Sequence, residues 1–125
     1  MTERKERRRY PRIKDKDISI QLMGEGFDVI TQSLDVSANG IYCKIKKPIP
    51  LMTRLQIVLA LPNKSKSARP TILTIEGIVV REHPVKREGH IEHYDVAIFF
   101  NSLMPQERET LVNYISKKQQ EPGKV

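Results

Sequence analysis

The stretch Leu55-Gln56-Ile57-Val58-Leu59-Ala60-Leu61, ended by Pro62, carries a large aliphatic side chain at every second position. Side chains of a β-strand alternate between its two faces, so this segment reads as a strand with one apolar face turned to a core. The same period extends outward in both directions. Upstream, Ile18, Ile20 and Leu22 alternate with polar residues, Gly24-Glu25-Gly26 breaks the pattern, and Phe27 to Thr31 resumes it, which predicts a β-hairpin. Ile41, Cys43 and Ile45 predict a third strand, stopped by Lys47-Pro48-Ile49-Pro50. Downstream, residues 63–70 are rich in Lys, Ser and Pro and read as a surface loop. Thr71 to Arg81 is a long β-branched run in which Gly77 marks a bulge or a close backbone approach. After a polar loop, Tyr94 to Phe100 is apolar on both faces and predicts a central strand.

The chain then changes period. Pro105 suits a first helical turn, Glu107 and Glu109 favour its positive end, Leu111 and Ile115 share a face, and Lys117 and Lys118 sit at its negative end. Gln119 to Val125, with Pro122 and Gly123, predicts a frayed tail. About six short strands and one terminal helix make the expected fold mainly β: a small six-stranded antiparallel β-barrel closed or plugged by a C-terminal α-helix, with a flexible basic N-terminal arm.

A length of 125 residues suits a single core. No run approaches the roughly 18 apolar residues that span a bilayer, and Met-Thr-Glu-Arg-Lys-Glu is no signal peptide, so no membrane insertion and a cytoplasmic location are expected. Cys43 is the one cysteine, and its strand parity with Ile41 and Ile45 reads as an inert core thiol. The net charge of +7 is unevenly spread. Residues 1–16 hold eight Lys/Arg against three acids, a balance of +5, and the remainder carries only +2. A basic arm on a nearly neutral body suits local capture of an anion better than a face that tracks DNA, so no specific nucleic acid is expected. His83, His90 and His93 fall in or beside the predicted loop between the last two strands, with no second cysteine to suggest zinc. No serine–histidine–acid order, glycine-rich phosphate loop or paired carboxylates stand out, which argues against an enzyme and against a metal or cofactor.

Two polar clusters fit neither core nor plain surface. One is Glu6-Arg7-Arg8-Arg9-Tyr10-Pro11-Arg12, just before the first strand, where Pro11 limits the chain beside Arg12. The other is Asp35-Val36-Ser37-Ala38-Asn39-Gly40, in the turn between the second and third strands. Taken alone, residues Arg4 to Lys16 read first as a solvated tail. Asn39-Gly40 is also a strong hairpin dipeptide, and Asp35 and Ser37 are residues that brace turns through their side chains.

Together the clusters resemble the Arg-x-x-x-Arg and Asp-x-Ser-x-x-Gly motifs of the PilZ family, bacterial receptors for cyclic di-GMP. Arg8 and Arg12, preceded by Arg7, match the first motif; Asp35, Ser37 and Gly40 match the second. Ile75 to Arg81, Tyr94 to Phe100 and Leu103-Met104-Pro105-Gln106-Glu107 resemble the family's later elements. Met104 departs from the pattern, standing where members often carry a helix-capping Ser or Thr. The resemblance implies a domain over residues 6–118, with 6–14 as the ligand arm and 1–5 and 119–125 as flexible tails. It also implies a cyclic di-GMP site formed by Arg7, Arg8, Arg12, Asp35, Ser37, Ala38, Asn39 and Gly40. Guanidinium forks match phosphate oxygens and the O6/N7 edge of guanine, Asp35 can accept from guanine N–H groups, and Ser37 can bond a phosphate or a base nitrogen. The implied function is a receptor that changes conformation on binding and acts on an unidentified effector protein in motility, pili, biofilm or exopolysaccharide pathways. The alternative is a ligand-independent interaction adaptor of the same fold.

Overall fold

The computed structural model describes residues 13–14, 17–63 and 69–119. Six strands run β1 Ser19–Gly24, β2 Phe27–Val36, β3 Gly40–Ile45, β4 Arg54–Leu61, β5 Thr71–Arg87 and β6 His90–Ser102, followed by helix α1, Pro105–Gln119. All neighbours are antiparallel and the sheet closes into a barrel in the order β1-β2-β3-β6-β5-β4, with β4 returning to β1. Closure pairs both edges, so the expected barrel is what forms.

The period of two decides what lies inside. Leu55, Ile57, Leu59 and Leu61 are all buried, facing Ile20 and Leu22 of β1 and Leu73 and Ile75 of β5 within one core. Across the barrel, Ile41, Cys43 and Ile45 meet Val96, Ile98 and Phe100. A Cβ on Gly77 would stand 2.6 Å from Ile57 Cδ1, 2.7 Å from Ile98 Cγ2 and 3.1 Å from the Phe99 carbonyl oxygen, so β5 passes close to the core and to the β6 backbone there. The β5–β6 register also shifts between Glu76 and Gly77, so the bulge and the close approach expected of this residue both occur. Leu111 and Ile115 of α1 are buried in the same core as the strands, and Lys118 reaches Asp17 at 3.6 Å, which ties the end of α1 to the segment before β1. Met104 brings no capping oxygen. Its own N–H donates to the Glu107 carboxylate at 3.0 Å, the reciprocal half of a capping box, and that compensates for the missing Ser or Thr.

Two expectations need correction. No polar loop separates the last two strands: β5 continues to Arg87 and β6 begins at His90, joined by Glu88-Gly89 with φ of 53° and 85°. Both central residues lie in the left-handed region that a tight hairpin turn requires. His83, His90 and His93 are therefore strand residues, not loop residues. This half of the hairpin shows no apolar alternation because its residues are mostly exposed and it is maintained by backbone pairing, with the exposed Arg87–Glu92 pair across the strands, rather than by a core. Secondly, β2 does not stop near Thr31 but runs on to Val36, through a register irregularity between Ser33 and Asp35. Asp35 is thus the penultimate residue of a strand and does not sit in the turn.

Cys43 is fully buried, and that burial, with a smaller contribution from the Asp95 charge, pushes its thiol up from 9.0 to about 12. In the folded protein it should resist thiol reagents at neutral pH and react once denatured. Above 9.0 the unfolded chain releases a proton that the folded chain keeps, so stability is full below 9.0 and declines as pH rises towards 12. Denaturation curves across that range should show a steeper decline than those of Cys43→Ala; parallel curves would refute the assignment. Among the described residues no helix is long and apolar enough to cross a membrane, and no three His, Cys, Asp or Glu gather where they could hold a metal.

Candidate ligand-binding site at the β2–β3 turn

The turn from β2 to β3 is held by its own polar groups. The Ser37 N–H donates to the Gly40 carbonyl at 2.9 Å, and Ser37 Oγ accepts the Asn39 N–H at 3.1 Å. The Asn39 carbonyl in turn accepts the Phe100 N–H of β6 at 2.8 Å. Ser37 therefore braces the turn, as its residue type allows, while its hydroxyl proton stays available to an acceptor. Ser37 is 7% exposed and Ala38 only 1%, which leaves Asn39 as the exposed residue of the turn.

Gly40 has a different role from the one its hairpin dipeptide suggests. Its φ is not in the left-handed region, which among the described glycines is reserved for Gly26 and Gly89. What excludes a side chain is space. A Cβ on Gly40 would collide with the Ile98 carbonyl oxygen and lie 3.3 Å from Phe99 Cα, so glycine lets β3 start tight against β6.

The residue that follows the first sequence cluster is paired with a residue of the second. Ile13, which follows Arg12, forms an isolated antiparallel bridge with Val36, which follows Asp35. The Ile13 N–H donates to the Val36 carbonyl at 3.0 Å and the Val36 N–H to the Ile13 carbonyl at 2.9 Å. Residues some twenty positions apart in the chain are thereby joined at one end of the barrel, and the root of the basic arm is placed beside the aspartate. Arg7, Arg8 and Arg12 themselves lie outside the described residues.

Sequence reasoning missed a row that only the register reveals. Asp35 pairs with Tyr42, Tyr42 with Ala97, and Ala97 with Arg81 across β2, β3, β6 and β5. Their neighbours Ile41, Cys43, Val96 and Ile98 are buried, so the row lies on the outer face. The small Ala97 stands between Tyr42 and Arg81 in this row. The parity of Tyr42 with Gly40 was the sequence signal for part of it; the rest needed the strand order.

The family model of the PilZ domain matches residues 6–117, from the arginine cluster through α1. The chain belongs to the PilZ family. No curated relative matches the sequence. Among solved structures, this PilZ chain is similar to the Bacillus subtilis inhibitor of motility MotI/DgrA, with a TM-score of 0.76 at 19% identity over 90% of this chain and 51% of that one. It is also similar to the PilZ domain of Escherichia coli YcgR solved with c-di-GMP, with a TM-score of 0.62 at 17% identity over 90% of this chain and 92% of that one. The K. pneumonia MrkH–c-di-GMP complex has a TM-score of 0.67 at 17% identity over 91% of this chain and 55% of that one. The PilZ chain thus spans about half the length of the first of these proteins and nearly the whole of the isolated YcgR domain.

Proposed function

We propose that this PilZ chain is a receptor for cyclic di-GMP, which it holds between its N-terminal arginines and the β2–β3 turn. The observation that carries this reading is the Ile13–Val36 bridge, because it sets the residue after Arg12 against the residue after Asp35. Arg7, Arg8 and Arg12 supply forks for phosphate and guanine edges, Asp35 accepts from guanine N–H groups, and Ser37 offers its hydroxyl proton. Asn39 lies at the exposed tip, and Gly40 keeps the turn close to β6. The buried Ala38 acts through its position in the turn, not through a surface contact. Two of the structural relatives carry the same ligand, which supports the assignment.

The ligand draws residues 4–14 onto the rim of the barrel, and the rearranged arm exposes or hides a surface read by an effector protein in motility, pili, biofilm or exopolysaccharide control. Ordering each arm residue costs about 1 to 2 kcal/mol of backbone entropy, so several charge-assisted bonds of about 1.5 to 3 kcal/mol each are required. Amide relaxation of residues 4–14 should change on saturation with cyclic di-GMP; identical relaxation with and without ligand would reject the switch. Titration calorimetry separates this receptor from a ligand-independent adaptor of the same fold. Heat of binding at micromolar ligand is expected, and silence there would favour the adaptor.

A further inference from the structure

At the other end of β2 from Asp35 the barrel wall is parted. β2 pairs with β1 from Phe27 to Gln32, but its ladder with β3 begins only at Ser33. Between the first half of β2 and the end of β3 lies an open groove of about 730 Å³, bounded also by Glu92 and His93 of β6. The Thr31 hydroxyl, donating to the Lys44 carbonyl at 2.6 Å, marks where the strands separate. Ser33 N–H points to Ile18 on the β1 side. Backbone groups alternate in direction along a strand, so Asp28 and Ile30 turn their N–H and C=O towards the groove. Ile30 is 75% exposed, the largest exposure of any large apolar side chain among the described residues.

The groove combines an apolar floor with surplus positive charge. Phe27 and Val29 are half-buried against the core, beside the buried Ile45. Lys44, Lys46 and Lys47 stand along the opposite wall, exposed, and none forms an ion pair with a described residue. The nearby acids are already engaged. Asp28 accepts from Gln21 at 2.9 Å, Glu92 pairs with Arg87 at 3.4 Å, and Asp95, opposite Lys44 in the ladder, is taken by His93 at 3.1 Å.

We propose that this groove is a docking site for an extended segment of a partner protein in which acidic and apolar residues alternate, added as a strand to the free edge of β2. An incoming strand would take its backbone bonds from Asp28 and Ile30, set alternate apolar side chains on the floor, and present its acids to the three lysines. Lysines beside an open edge repel a second copy of the same edge, so self-pairing is disfavoured and an acid-bearing strand is admitted. A free backbone edge over an apolar floor likewise suits a peptide and not a nucleic acid. The site shares no residue with the proposed messenger site, so each can fail independently.

The test uses the full chain and a capped Glu-Val alternating peptide of about six residues, an ordinary strand length. Amide shifts should move at residues 28–31 and 44–47, the Ile30 amide should gain hydrogen-exchange protection, and affinity should fall as salt rises. A Lys-Val peptide should bind at least about tenfold more weakly. Ile30→Pro removes an edge N–H without touching the β1 ladder and should cost at least a similar factor. Lys44→Glu combined with Lys46→Glu should reverse the preference between the two peptides. Absence of shifts at millimolar peptide, equal binding of the Lys-Val peptide, shifts at another surface, or tighter binding of a single-stranded oligonucleotide at the same residues would overturn the proposal.

Discussion

Replacing Arg12 by alanine should weaken cyclic di-GMP binding by one to two decades, measured by titration calorimetry. Arg12 is followed in the chain by Ile13, whose own backbone is fixed to Val36 by two hydrogen bonds of 3.0 and 2.9 Å. An arginine next in sequence to a fixed residue has less entropy to lose on binding than one further out along the arm, and its loss removes a contact worth about 1.5 to 3 kcal/mol. With about 1.4 kcal/mol per decade, that is the expected range. Arg12→Lys keeps the charge but not the bidentate fork, and should recover only a minor part of the affinity. Arg8→Ala should lose at least about one decade on the same grounds. Wild-type affinity in Arg12→Ala would show that the ligand is held elsewhere or not at all.

Gly40→Ala is expected to give the largest stability loss of any single methyl addition at the site, about 2 to 3 kcal/mol in ligand-free protein. The added Cβ meets the Ile98 carbonyl oxygen, a backbone atom of a strand paired on both sides, with Phe99 Cα at 3.3 Å. A flexible side-chain end could rotate away; this backbone cannot shift without disturbing the β3–β6 ladder. Gly26→Ala is the informative control. Gly26 has φ of 83°, and an added methyl there would meet nothing within 4 Å, so only the conformational cost of about 1 kcal/mol applies. Thermal melts should therefore rank Gly40→Ala well below Gly26→Ala. The reverse order would mean that turn conformation, not the close approach of β3 to β6, is why residue 40 is glycine.

Much of the barrel was legible because strand periodicity is local. The alternation of Leu55 to Leu61 and of Ile41 to Ile45 predicted which side chains are buried, and Gly77 announced both its bulge and its tight packing. Legibility failed where that alternation fades. Residues 82–93 look like a loop because they are polar, yet they continue a hairpin held by backbone pairing and by the left-handed turn at Glu88-Gly89. Ile30 is apolar and nevertheless highly exposed, since its strand parity with Asp28 and Gln32 places it on the outer face. The two motifs could be read from residue types and order, but the bridge between Ile13 and Val36, and the row from Asp35 to Arg81, could not.

By itself, the sequence determined the strand faces, the terminal helix, the family motifs and the concentration of positive charge in the first sixteen residues, because each follows from covalent geometry or side-chain chemistry within a short window. Only the tertiary structure decided that β3 lies against β6, that β4 closes on β1, that Gly40 is required by its neighbour's backbone, and that half of β2 keeps an open edge. These depend on which distant segments pair and in what register, and long-range pairing is chosen by the energy of the whole barrel, not by any residue's local preference.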